Sequence, residues 1–196
     1  MAVDASRRQT LLLLRAQSGD QEALDHLLKG VQERLYTYLR GLVGDPHLAE
    51  DVLQDVFVLV YRKLLWLRDP ELFRPWVHRI ATREAFRQIR RRRRREELLA
   101  EDGRQLAAAL PRMDGADAPD APRAELVERL PQLVQAVSPA SRAVLLLHYF
   151  EGMKLDEVAA VLGLSVGTVK SRLHYGLNLL RETLGPGAPG TDGQGA

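Results

Sequence analysis

The sequence predicts an all-α chain: two small helical domains joined by a flexible, acidic, Pro- and Ala-rich linker, with a helix-turn-helix in the second domain. Three observations carry this. Apolar residues recur at helical spacing through most of the chain. The pairs Asp45-Pro46, Asp69-Pro70 and Ser138-Pro139 restart it, each a cap followed by proline at the first helical position, where a missing amide costs nothing. Between Glu96 and Pro122 the pattern lapses: seven acids face only Arg104 and Arg112, a net charge of −5. The expected boundaries are a first domain at 7–95, a linker at 96–122, a second domain at 123–184 and a disordered tail at 185–196. A length of 196 residues accommodates two such domains.

In chain order, Met1 to Ser6 reads as a loose tail and Arg7 to Gln17 as a short helix around Leu11–Leu14. Asp20 is a plausible N-cap for a helix to about Val43, whose apolar stripe runs Ala23, Leu24, Leu27, Leu28, Val31, Leu35, Tyr38, Leu39 and Leu42. The helix after Asp45-Pro46 extends to about Leu67, with Leu48, Val52, Val56, Val60 and Leu64 in one row and Leu53, Phe57 and Leu65 near a second. Its first turns concentrate Glu50, Asp51, Gln54 and Asp55. Acid there suits the helix macrodipole, but Asp51 and Asp55 repel at i, i+4. A docking patch for a basic partner is therefore an equal competitor.

Pro75 delays the next helix, expected from Pro75 to Arg95. Trp76, Arg79, Arg83, Arg87, Arg90 and Arg94 fall in a stripe roughly 80° wide at about 100° per residue. Val77, Ala81, Ala85 and Ile89 lie on a different side, available for packing. Six consecutive arginines, Arg90 to Arg95 (Arg91 among them), extend the positive end. Such a run alone reads as a solvated tail or a targeting signal. As the continuation of a stripe inside a packed helix it favours nucleic acid, with Trp76 placed for base stacking. Trp66, Phe73 and Phe86 individually read as core.

In the second domain Ala124–Val137 is interrupted at Pro131, and the helix after Ser138-Pro139 packs through Val144, Leu145, Leu147, His148 and Phe150 until Glu151-Gly152 ends it. Lys154 to Glu182 then reads as a helix-turn-helix. Leu155, Val158, Ala159 and Leu162 give the first helix its buried side, Gly163 ends it, and Ser165 caps the second. Val166, Val169, Leu173, Leu177, Leu180 and Leu184 form the inner stripe of that second helix. Thr168, Ser171, Tyr175 and Asn178 fall opposite, flanked by Arg172 and His174. That face suits a major groove, although a hairpin with a merely solvated polar side has the same periodicity.

Other classes are disfavoured. There is no cysteine for a disulfide or thiolate site, and no apolar run approaches a membrane span. The first residues lack a secretory signal, so a soluble cytoplasmic protein is expected. The five histidines stand in separate helices without metal-ligand spacing, and no phosphate loop or nucleophile elbow occurs. Neither a metal, a cofactor nor an enzymatic role is expected.

Two segments carry a resemblance. AEDVLQDVFVLVYRKL (Ala49–Leu64), continuing into FRPWVHRIATREAFRQIRRRRR, resembles conserved region two of bacterial RNA polymerase sigma factors of the extracytoplasmic-function (ECF) type. SPASRAVLLLHYFEGMKLDEVAAVLGLSVGTVKSRLHYGLNLLRE resembles their region four, VGTVKSRL (Val166–Leu173) most specifically. The resemblance covers about Gly19–Arg95 and Arg123–Leu184, and implies promoter-specific transcription initiation with core RNA polymerase and promoter DNA as partners. An anti-sigma factor is a third partner it leaves open. By position, Asp51, Gln54 and Asp55 fall where the family contacts the polymerase clamp. Trp76 and the arginine stripe fall where it engages the minus-ten element. Ser165, Thr168, Lys170, Ser171, Arg172, His174 and Tyr175 belong to the helix that reads the minus-thirty-five element. Two departures stand out. The family commonly has Ile-Ala-Arg-Asn after the tryptophan and Asp four residues past the Asn, whereas this chain has Thr82-Arg83 after Ile80-Ala81, and Arg87 at the Asp position. After Lys-Ser-Arg the family often continues with basic residues, where Tyr175-Gly176-Leu177-Asn178 is neutral. The principal alternative is a helix-turn-helix regulator binding an operator without polymerase; a third is a module that sequesters another regulator.

Overall fold

The computed structural model describes the backbone of residues 2–102, 130, 131 and 133–184, and the side chains of 7–95, 130, 131 and 133–182. Among the described residues there is no strand, and no helix is long and apolar enough to cross a membrane. The helices are α1 (Ala2–Gln17), α2 (Gln21–Val43), α3 (Pro46–Lys63), α4 (Phe73–Asp102), α5 (Pro139–Leu145), α6 (Leu155–Leu162) and α7 (Val166–Leu184). Short 3-10 turns at Leu64–Trp66, Pro70–Leu72 and Val134–Ala136, and a π-helical turn at Leu146–Phe150, join them, and residues 130, 131 and 133 are helical. The expected linker beyond Asp102, most of the expected helix at Ala124–Val137 and the tail from Gly185 lie outside the described residues.

The caps fall where their side-chain chemistry requires. Asp20 accepts from the Ala23 amide at 3.0 Å, Asp45 from His47 and Leu48 at 3.0 and 3.2 Å, and Ser165 from Thr168 at 3.1 Å. Each satisfies an amide that has no partner within its own helix. Gly163 ends α6 at φ 68°, a left-handed conformation, and its amide donates to Ala159 O.

Several boundaries differ from the sequence expectation; α3 ends at Lys63, not about Leu67. α1 begins at Ala2, not Arg7. α4 begins at Phe73, because Pro75 sits in its first turn, where no intrahelical donor is lost. The same helix continues through Asp102, so Glu96–Asp102, expected as linker, is helical. A reversal of charge after Arg95 changes the chemistry of the helix surface without breaking the backbone ladder.

The first half packs α1 to α4 around Leu13, Leu27, Leu35, Tyr38, Val52, Val56, Val60, Phe73 and Val77, all buried. Gln17 fixes the turn after α3 by donating to Leu64 O (2.9 Å), which also accepts the Leu67 amide, and to Leu67 O (2.8 Å). In the second half α7 crosses α5 at Gly176: a Cβ there would lie 2.9 Å from Leu145 Cδ1, so glycine is what permits the approach. This explains Gly176, within the neutral break after Lys-Ser-Arg, as packing. Val166, expected on the inner stripe, is exposed; burial in α7 follows Val169, Gly176 and Leu180. One apolar core runs without interruption from Leu13 to Leu180 and joins both halves.

Candidate nucleic-acid and docking interfaces

On α3, Asp51, Gln54 and Asp55 are all exposed, while Val52, Leu53 and Val56 behind them are buried. Helical phase carries their face onward to Val58 and Arg62, with Tyr61 at its flank; all three are exposed. Val58 and Tyr61 are the residues missed in the sequence, although they follow Asp51 and Asp55 at helical spacing. Beyond them Leu65 and Trp66 are also exposed, Trp66 at 76%. Both were expected inside. α3 ends at Lys63 and the chain turns into a 3-10 segment, which rotates Leu65 and Trp66 off the packed row and leaves Leu64 and Leu67 to fill it.

α4 divides as its periodicity requires. Phe73, Val77, Ala81 and Ala85 are buried, Trp76 and Ile89 half-buried, and Arg79, Arg83, Arg87, Arg90, Arg91 and Arg94 exposed. Trp76 lies 6.3 Å from the Phe73 ring and packs on the core, so only part of its face is open to a base. The inner face also holds polar groups that the apolar pattern concealed: His78, Thr82 and Glu84 are buried. Thr82 donates to His78 O at 2.7 Å and therefore accepts from the Tyr38 hydroxyl at 2.6 Å. Here the Thr82 departure serves α2–α4 packing. Arg87 has acidic partners among the described residues: it pairs with Glu84 and reaches Asp55 at 3.8 Å. The Glu84 hydrogen bond, opposed by some desolvation and helped by the charges of Glu84 and Asp55, holds its guanidinium above the ordinary range. The departure at Arg87 thus ties the acidic face of α3 to the arginine face of α4. Off the stripe, Arg92 reaches back to Asp45 at 3.1 Å.

On α7, Lys170, Ser171, His174 and Tyr175 are exposed and Arg172 is half-buried. Ser165 is committed to its cap, its hydroxyl also lying 2.9 Å from that of Thr168, so those two groups bind each other before any base. His174 Nε2 is 3.0 Å from Asn178 Nδ2, and Arg181 donates to Asn178 Oδ1 at 3.3 Å. Tyr175 stands clear at 58% exposure. The neutral hydroxyl groups exposed on this helix outside its entry turn are therefore Ser171 and Tyr175, one helical turn apart.

Comparison with known proteins agrees with this layout. The Sigma-70 region 2 family matches residues 27–95, and the Sigma-70, region 4 family matches residues 127–180. The chain is 35% identical over 179 residues to the ECF RNA polymerase sigma factor SigE of Mycolicibacterium smegmatis, covering 85% of this chain and 65% of that one. It is 30% identical to the RNA polymerase sigma-H factor of Pseudomonas aeruginosa, covering 89% and 93%. Among solved structures it is similar to CnrH in complex with the cytosolic domain of CnrY, with TM-score 0.63 and 26% identity, covering 90% and 97%. The sigma factor RpoE of Bartonella quintana, solved with the anti-sigma factor NepR, shares the fold at TM-score 0.61 and 22% identity, covering 84% and 95%. Two regions matched in the family's order, with relatives aligned over most of their length, place this chain among the RNA polymerase sigma factors of the ECF type.

Proposed function

We infer that this protein directs promoter-specific transcription initiation as a non-catalytic subunit of the cytoplasmic RNA polymerase. The observation that carries the reading is the division of labour among three exposed faces on two matched regions. The α3 face of Asp51, Gln54 and Asp55, extended by Val58 and Tyr61, docks on a basic surface of core polymerase. The α4 stripe of Arg79, Arg83, Arg87, Arg90, Arg91 and Arg94 tracks phosphates of the opened strand, with the open part of Trp76 against a base. On α7, Ser171 and Tyr175 meet base edges of the upstream duplex, while Lys170, Arg172 and His174 meet its backbone. Ser165 and Thr168 hold the entry turn of that helix. The domains are proposed at 7–95 and 123–184, and an anti-sigma factor, as NepR is in the complex of the similar RpoE, is a fitting third partner.

Run-off transcription with reconstituted core polymerase tests this reading. Transcripts from defined start sites, absent without the protein, are the expected result. DNA binding that neither requires nor recruits polymerase would favour a simple operator-binding regulator instead.

A further inference from the structure

Three side chains along α7 form a hydrogen-bonded row that runs toward its C-terminal end. His174, Asn178 and Arg181 follow one another at steps of four and three residues, so they share one side of the helix. His174 is exposed and the other two are half-buried. Arg181 lies in the last turn, where a cation suits the helix macrodipole. Its Nη1 donates to Asn178 Oδ1 at 3.3 Å, and Asn178 Nδ2 lies 3.0 Å from His174 Nε2.

The chemistry of the three groups leaves one assignment. A guanidinium can only donate, so the amide atom that meets Arg181 is the oxygen. The amide nitrogen is then the atom that meets His174, and it too can only donate. His174 Nε2 must therefore accept, which requires a neutral ring with its proton on Nδ1. A proton on Nε2, in the other tautomer or in the imidazolium, would set two donors against each other. An unconstrained histidine has the opposite preference and carries its proton mainly on Nε2. The row of Asn178 and Arg181 thus imposes a choice that the ring alone would not make. It also accounts for Asn178, which helical phase places outward: each end of its amide is engaged within α7.

What His174 then offers to DNA is a neutral N–H in place of a positive charge. A phosphate oxygen accepts such a donor, and the contact sets the register of a helix without reading sequence. Lys170 and Arg172 act differently. Cations displace counterions when they meet phosphate and make affinity salt-dependent, whereas a neutral donor displaces none.

We propose that Asn178, held by Arg181, is a positioning residue that keeps His174 neutral and fixes its Nδ1–H as a donor to a phosphate of the upstream duplex. This rests on the sigma-factor reading for the duplex it names but not for the hydrogen bonds. Nitrogen NMR of the full-length protein, with isotope-labelled histidine, reads the tautomer directly, and His174→Gln identifies its signals among the five histidines. At about pH 8.5, where a free imidazole is neutral, His174 should show a bare Nε2 and a protonated Nδ1. Asn178→Asp keeps a partner for Arg181 but offers His174 only an acceptor. The proton should move to Nε2, leaving a bare Nδ1 against phosphate. Affinity for a mixed-sequence duplex at the same pH should then fall about fivefold, the loss of one neutral hydrogen bond. His174→Ala should lose as much, with the slope of log affinity against log salt unchanged. In the His174→Ala background, Asn178→Asp should cost little more. A protonated Nε2 in the wild type overturns the relay. A slope lowered by about 0.9 in His174→Ala would make His174 a cation and overturn the neutral contact. An equal loss from Asn178→Asp in both backgrounds would assign that loss to added charge and overturn the positioning role. Both readouts use the free chain and DNA alone. A protein that passed them yet never transcribed with core polymerase would lose the sigma reading and keep the relay.

Discussion

The outward faces of α4 and α7 are framed alike and made of different chemistry. Each helix turns small or apolar residues inward, Ala81 and Ala85 in one, Val169 and Gly176 in the other, and polar residues outward. The α4 face is cationic from Arg79 to Arg94. The α7 face centres on a hydroxyl and a phenol, with its charges at the margins. Coulomb attraction to phosphate is long-ranged and indifferent to sequence, whereas a neutral hydrogen bond acts only at contact and in one direction. On the proposed reading, strength of attachment and choice of site are carried by different helices, while the acidic face of α3 decides whether the protein reaches DNA as part of a larger enzyme.

The largest expected effect tests that last point. Asp51→Arg with Asp55→Arg places like charges on the proposed docking surface, at a cost of several kcal/mol. Core polymerase should no longer be retained in a pull-down, and promoter-dependent transcripts should vanish; retention at wild-type level would leave the acids to the helix dipole alone. Next, Ser171→Ala or Tyr175→Ala should change the ranking of upstream sequences by about 1–3 kcal/mol at a contacted base, while Arg172→Ala weakens all of them alike. If binding assays across a set of upstream variants give parallel losses for all three, α7 does not read bases. Arg90, Arg91 and Arg94 changed together to Ala should lower the slope of log affinity against log salt by about 2, at ~0.7 per single-strand phosphate contact. An unchanged slope would make the arginine run a bystander.

The smallest effect lies at Glu151, whose side chain is 1% exposed in a recess between α2 and α4. Burial alone would raise the Glu151 carboxyl, but His78 and then Arg74 outweigh it and bring it down from 4.5 to about 2. Arg34 and Tyr38 of α2 and Arg74 and His78 of α4 are the titratable or charged groups around it. Because the packed state prefers the charged carboxylate, this contribution is complete above pH 4.5 and drains away as pH falls toward 2. The melting temperature of the wild type should fall on acidification through that window. Glu151→Gln should lack that component, and an identical acid profile in the variant would assign the transition to other groups.

Much of the fold was legible because its determinants are local. Asp20, Asp45, Ser138 and Ser165 cap the helices that follow them, since a short oxygen side chain next to open amides needs no tertiary partner. The inward and outward sides of α4 followed from spacing alone. Trp66 and Leu65 did not, because their apolar character said nothing of the turn that carries them outward. His78, Thr82, Glu84 and Glu151 were equally silent. A polar residue reads as surface until a partner satisfies it: distant Tyr38 meets Thr82, and Arg74 and His78 meet Glu151, whereas Glu84 is met within its own helix by Arg87 and Gln88. Gly41 and Gly176 were visible as glycines, but their reason, the approach of Pro131 and Leu145, was not.

The sequence by itself therefore determined the all-α class, the helices and their caps, the two matched regions and the exposed faces proposed to meet polymerase and DNA. Each of these depends on residues within a few turns of one another. Only the tertiary structure decided how the halves meet, which acid is dry, and why glycine stands at the crossings. Those facts are set by pairs such as Arg142 with Leu42 and Arg74 with Glu151, 100 and 77 residues apart, whose meeting no local pattern encodes.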